Sequence, residues 1–219
     1  MLNKSKGNMY GFVTHTWNAI KGKCEHDCVY CYMKIWGKLN PIRLDKKELN
    51  TDLGEGNFIF VGSSTDMFAS NVPINWIEET IDYCKQFDSK YLFQSKNPTR
   101  FLAYLDRFPK DTILCTTIET NRDVEGLSKT PTMQERVDAM VKISKLSDFD
   151  LMVTIEPILD FDVEEFITMI KQIKPKYVAI GADSKNHNLA EPSTEKVDAL
   201  IKALSEFDIT VKDNLGRLL

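Results

Sequence analysis

Short apolar runs and longer amphipathic ones alternate along nearly the whole chain. The short runs are MYGFVTHT (9–16), FIFVGSS (58–64), YLFQSK (91–96), TILCTTIE (112–119), DLMVTIE (150–156) and YVAIGAD (177–183), with a weaker DITVKD (208–213) last. They are rich in Val, Ile, Phe, Thr and Tyr and mostly apolar on both faces, the pattern of parallel strands covered on both sides. Between them, Ile74, Ile77, Ile81 and Cys84 share one helical face. Val163, Phe166, Ile167 and Ile170 share another, and Val197, Leu200, Ile201 and Leu204 a third. Asp162 with Glu165, and Thr132 with Glu135, have the spacing of capping boxes and mark two helix starts. This alternation predicts βαβ units with right-handed crossovers, hence a parallel sheet covered by helices. Six or seven such units suit either an open doubly wound sheet or a barrel, complete or partial.

Almost every run ends in polar residues. Ser63, Ser64 and Asp66 follow the second run, Lys96 the third and Glu119 the fourth; Glu156, Asp183 and Lys212 close the fifth, sixth and last. Parallel α/β folds carry their sites at the carboxyl ends of the strands. One such residue reads as a strand running out into a solvated loop. A whole set on one rim predicts a site, and for Glu156 with Lys212 a structural ion pair is an equal alternative.

Composition adds bounds. At 219 residues the chain holds one sizeable core and is read as a single domain over 1–219. A net charge of −4 argues against a protein that coats nucleic acid by charge alone, while leaving room for a local basic groove. MLNKSKGNMY opens the chain with no apolar leader, no run reaches membrane-spanning length, and five cysteines do not make a secreted disulfide framework. A reducing cytoplasm is the expected location.

Three of those cysteines, Cys24, Cys28 and Cys31, fall inside CEHDCVYCYMKIWG (24–37), in the loop after the first run. Structural zinc takes four nitrogen or sulfur ligands, and His26 or His15 would have to complete the set. The spacing lacks the paired layout of common zinc sites. A four-iron cluster takes one thiolate per iron, so three leave one iron open to a reactive ligand. Cys84 on a helix stripe and Cys115 inside a strand read as core residues rather than a fourth ligand.

Cys-x3-Cys-x2-Cys with Tyr30 before its last cysteine resembles the signature of radical S-adenosylmethionine enzymes. HTWNAIKGKCEHDCVYCY, FVGSSTDMF, YLFQSKNPTRF, TTIETNRD, VTIEPILD, VAIGADS and VKDNLG occur in the order seen in a branch of that superfamily found in phages and mobile elements. More distantly they resemble spore photoproduct lyase. The resemblance implies a partial (β/α)6 TIM-type barrel of parallel strands, with the cluster loop at about 18–32. It also implies an oxygen-sensitive [4Fe-4S] cluster on Cys24, Cys28 and Cys31, and S-adenosylmethionine chelated at the open iron. Reductive cleavage would yield a 5′-deoxyadenosyl radical that abstracts hydrogen from a substrate.

The same resemblance assigns roles to single residues. Tyr30 would pack on the adenine. Gly62-Ser63-Ser64-Thr65-Asp66 stands where the family has a Gly-Gly-Glu-like segment, so Ser63, Ser64 and Asp66 become contacts of the methionine end. Glu119, Asn121 and Arg122 fall where ribose and carboxylate contacts are common. Lys96, Glu156, Asp183 and Lys212 are then the substrate-side candidates. Trp17 and Asn18 would brace the loop, and Met33, Trp36 and Met67 read as core. A flavodoxin or ferredoxin-type protein is the implied electron donor. An open-sided barrel and the distant likeness to a DNA-repair lyase point to a nucleotide or nucleic-acid substrate. The alternatives are a non-catalytic iron–sulfur or zinc module that binds or senses, and a zinc hydrolase; the latter is poorly supplied by three histidines, His15, His26 and His187.

Overall fold

The structure is a computed structural model that describes residues 1–6 and 9–219. Its main sheet runs in the order β1 (Asn3–Lys4), β2 (His15–Trp17), β5 (Phe58–Val61), β6 (Lys90–Gln94), β7 (Thr112–Thr117), β8 (Asp150–Ile155), β9 (Tyr177–Ile180) and β10 (Asp208–Val211). Within this sheet only β1 is antiparallel to its neighbour; all its other strands pair in parallel. Strands β3 (Ile20–Lys21) and β4 (Arg43–Leu44) form a separate two-stranded ladder.

The parallel strands follow one another in chain order, without the reversal that defines a doubly wound sheet. Winding in one direction is the habit of barrels, and β2 and β10 do not pair, so the curl stays open at the side. This is the partial barrel expected. Helix α1 (Ile74–Cys84) links β5 to β6, α2 (Met133–Leu146) links β7 to β8, α3 (Val163–Ile173) links β8 to β9, and α4 (Thr194–Ala203) links β9 to β10. The β6–β7 connection is instead a 3-10 stretch, Pro98–Tyr104, with proline in its first turn.

Period-two alternation along the strands sorts side chains into two cores. Ile59, Val61, Tyr91, Phe93, Leu114, Val153, Ile155, Val178 and Ile180 point outward and pack with Ile77, Ile81, Val137, Met140, Phe166, Ile170 and Val197 of the helices. Phe60, Leu92, Ile113, Cys115, Met152 and Ala179 point inward. Cys84 and Cys115 are both buried, one in each core.

The run at 9–16 departs from expectation. Only its last two residues join β2, while Tyr10 and Val13 belong to the inner core and Met9 and Phe12 pack against it. The Phe12 ring lies 4.8 Å from Phe58 and 6.0 Å from Tyr177. An open barrel leaves apolar side chains facing an unfilled interior, and this segment fills it from below. The helix starts also split. Thr132 and Glu135 form the capping box of α2. Asp162 stands at the cap position of α3 but caps nothing, because its carboxylate is taken by Arg122 and Asn121.

Candidate active site

The inward positions turn polar as the strands reach their carboxyl ends, and there a cavity of about 740 Å³ opens. That is within the size range of small-molecule sites. Its wall takes residues from the ends of β5, β6, β7, β8, β9 and β10 and from the loop after β2. Cys24, Cys28, Cys31, Tyr30, Ser63, Ser64, Asp66, Lys96, Glu156, Asp183 and Lys212 all line it.

The cysteine loop is held on three sides. At its start, Gly22 has φ +116°, and a Cβ there would lie 2.5 Å from the Pro41 carbonyl oxygen, so only glycine allows this approach. On one flank, Val29 N–H donates to Leu127 O (3.0 Å) and Lys129 N–H to His26 O (2.7 Å). On the other, Thr65 Oγ1 donates to Gly22 O (3.0 Å) and Tyr32 Oη to Ser63 O (2.7 Å). Behind it, Tyr30 Oη donates to Glu119 Oε1.

His26 is buried. Its Nε2 lies 2.8 Å from Asp66 Oδ2. The same carboxylate accepts from Ser95 Oγ (3.0 Å), Lys96 N–H (2.8 Å) and, at Oδ1, Phe68 N–H (2.9 Å). Burial pushes the Asp66 carboxyl up, but donation from His26 and the two amides overrides it and holds the group below its usual range. A carboxylate only accepts, so His26 Nε2 carries the proton. Asn18 ties down the adjoining serines: Nδ2 donates to Ser63 Oγ (3.1 Å), and Oδ1 accepts from Ser64 N–H and Oγ, both at 2.9 Å. Trp17 is buried against Tyr83, with ring centroids 5.4 Å apart.

At the far end of the cavity, Lys212 Nζ donates to Glu156 Oε2 (2.6 Å) and lies 4.6 Å from the centre of the Tyr10 ring. Asn214 Nδ2 donates to Glu156 Oε1 (3.0 Å), and Tyr10 Oη donates to Gln94 Oε1 (2.9 Å). Burial pushes the Tyr10 phenol well above its usual range. Between the two ends, Lys96 Nζ sits 5.4 Å from the Tyr30 ring and 3.2 Å from Thr117 Oγ1. On the rim, Asp183 Oδ1 meets His187 Nδ1 at 2.6 Å. Burial raises the Asp183 carboxyl, and the His187 contact with the Lys185 and His187 amides brings it below the usual range.

Three expected cofactor contacts do not reach the cavity. Glu119 is fully buried, its Oε2 accepting from Arg136 Nη1 at 2.8 Å while Oε1 holds Tyr30 from behind. Arg122 forks onto Asp162 and pairs with Asp160, and Asn121 bonds Asp162. Trp36 is not core; it is 72% exposed, while Met67 is buried and Met33 lines the cavity. Sequence reading missed Tyr10, Gln94, Thr117, His187 and Arg136. The inward period-two positions after Leu92 and Cys115 would have found Gln94 and Thr117.

All five cysteines are free thiols. Burial pushes Cys24 up to about 12 and raises Cys28, so in this setting they are poor nucleophiles. Replacement of the proton by a metal is what turns such thiols into ligands. Among the described residues, no three His, Cys, Asp or Glu side chains converge as a ready site for one metal ion.

No protein-family model and no curated protein sequence matches the chain. Solved structures do. A single-residue variant of spore photoproduct lyase matches with a TM-score of 0.67 at 13% identity, over 94% of this chain and 78% of that one. A double variant with bound AdoMet and dinucleoside spore photoproduct matches at 0.63 and 14%, over 92% and 64%. Spore photoproduct lyase complexed with the dinucleoside spore photoproduct gives 0.63 and 13% over the same shares. The chain therefore has the fold of spore photoproduct lyase along almost its entire length.

Proposed function

We propose that this protein is a radical S-adenosylmethionine enzyme whose substrate is a nucleotide or nucleic acid. The observation that carries the reading is the placement of Cys24, Cys28 and Cys31 on the wall of one cavity, facing polar strand ends. The two remaining cysteines are buried in the apolar cores, so the cavity is offered three thiols and no fourth. This donor set fits a [4Fe-4S] cluster with one iron left for S-adenosylmethionine. A reduced cluster held by these three thiols would supply the electron for reductive cleavage of S-adenosylmethionine and so for hydrogen abstraction from the substrate. The spore photoproduct lyase structures hold AdoMet and a dinucleoside in the same fold, which supports both halves of the proposal.

The chain's own residues would then divide the work. Ser63 and Ser64, pinned by Asn18, and Asp66, pinned by His26, receive the methionine end. Tyr30, locked by Glu119 and Arg136, presents its ring to the adenine, with the Lys96 ammonium close by. Glu156, Lys212, Tyr10 and Asp183 receive the substrate, with Lys212 Nζ donating to Glu156 Oε2. The inner apolar core lies beneath this end. A flavodoxin or ferredoxin-type protein would deliver the electron.

Anaerobic reconstitution with iron and sulfide tests the donor set. About four irons per chain are expected for the wild type, and Cys24→Ala, Cys28→Ala and Cys31→Ala should each lose them. Zinc bound tightly in protein purified without air, with no iron uptake, would overturn the proposal.

A further inference from the structure

The 3-10 turn Tyr32–Trp36, just past the last cavity cysteine, buries none of its residues. Ile35 is 64% exposed and Trp36 72%, with Tyr32 beside them at 48%. A tryptophan left in water forgoes one of the largest apolar burials a side chain offers, and neighbouring exposed rings mark contact surfaces. Lysines interleave with them: Lys34 sits within the turn and Lys38 just beyond it. Although the chain carries a net charge of −4, the cavity mouth is rich in lysine. Lys38 and Lys185 line it and enter no ion pair among the described residues. Tyr32 is fixed in direction by its bond to Ser63 O, and Tyr32, Lys34 and Lys38 all line the cavity.

From this we infer that the 32–38 turn is a stacking platform for a single-stranded or flipped-out stretch of nucleic acid. Trp36 and Tyr32 take base faces, and Lys38 and Lys185 take phosphates on either side of the cavity mouth. Exposed aromatic faces, of which Tyr32 is held in place by its bond to Ser63 O, together with lysines outside any ion pair, are the features that hold a single strand without reading its sequence. The continuity of the turn with the cavity favours a strand running into the site over a protein docked elsewhere. The inference rests on the proposal that the substrate is nucleic acid, and it adds the surface that delivers it.

The test is anisotropy of a fluorescein-labelled thymidine dodecanucleotide with the reconstituted full chain, without air, across a salt series. Trp36→Ala should weaken binding about tenfold, and Trp36→Phe should restore most of it. Lys38→Ala and Lys185→Ala should each flatten the slope of log affinity against log salt by roughly 0.7. Lys142→Ala, on the outer helix α2, should change neither. Unaltered binding in Trp36→Ala and Lys38→Ala would overturn the platform and leave the substrate proposal standing. No binding by a wild type that still cleaves S-adenosylmethionine would remove nucleic acid from that proposal, and the platform with it. Unaltered binding together with slower reduction of Trp36→Ala by flavodoxin would give the turn to a protein partner instead.

Discussion

At the scale of single residues, Arg136 and Glu119 bear most on the site without touching it. The guanidinium is buried and uses four of its five N–H donors, on Pro131 O, Thr117 O, Thr130 Oγ1 and Glu119 Oε2. Glu119 in turn holds Tyr30. Removing one partner of a buried pair strands the other charge. Glu119→Gln should therefore lower stability by about 3 kcal/mol in urea unfolding, whereas Glu165→Gln on the exposed side of α3 should stay within about 0.5 kcal/mol. Asp183 gives a pH prediction. Its carboxyl lies below the usual aspartate range in the folded state, so its stabilisation is complete above about pH 4 and is lost as pH falls further. Between pH 3 and 5 the urea midpoint of Asp183→Asn should fall less steeply than that of the wild type. Identical acid slopes would reject this. Residue types at strand ends were legible because chemistry and position coincide there. Glu119 was read as a cofactor contact for the same reason, since nothing in one strand shows that Arg136, on a later helix, will claim it first.

At the scale of elements, the capping box and the glycine packed against Glu156 each make a prediction. Thr132 and Glu135 close the first turn of α2 reciprocally, and Thr132→Ala should cost about 1 kcal/mol. Asp162→Ala, which removes an exposed ion pair and no cap, should cost less than that in the same assay. At the end of β9, a Cβ on Gly181 would lie 2.8 Å from Glu156 Oε1. Gly181→Ala should therefore displace the Glu156 carboxylate from Lys212, visible as lost side-chain contacts in a crystal structure, while the sheet stays intact. Strands β5 to β9 were readable because two-sided burial leaves an unbroken apolar run, whereas the weaker run of β10 reflects an edge strand whose residues are mostly exposed. The segment 9–13 carries the same signature for another reason: it is buried inside the curl rather than paired in the sheet. The 3-10 crossover at 98–104 has too few periodic positions to announce itself as a helix.

At the scale of the whole molecule, one-directional winding brings six strand ends and the cysteine loop around a single cavity, and function follows from that convergence. Periodicity alone left a doubly wound sheet open; chain-order pairing in the main sheet closes the question. The rim of polar strand ends was legible before any coordinates. The exposed turn at 32–38 was not, because a large aromatic beside Ile35 reads as core, and nothing in the local sequence shows that Trp36 stays in water. The central claim is that these three thiols and the facing polar wall form one redox site for S-adenosylmethionine. The most direct measurement is 5′-deoxyadenosine by mass spectrometry after anaerobic reconstitution, dithionite and S-adenosylmethionine. The account predicts production by the wild type and none by Cys24→Ala, Cys28→Ala or Cys31→Ala. A fully loaded, reduced wild type that leaves S-adenosylmethionine intact would contradict it.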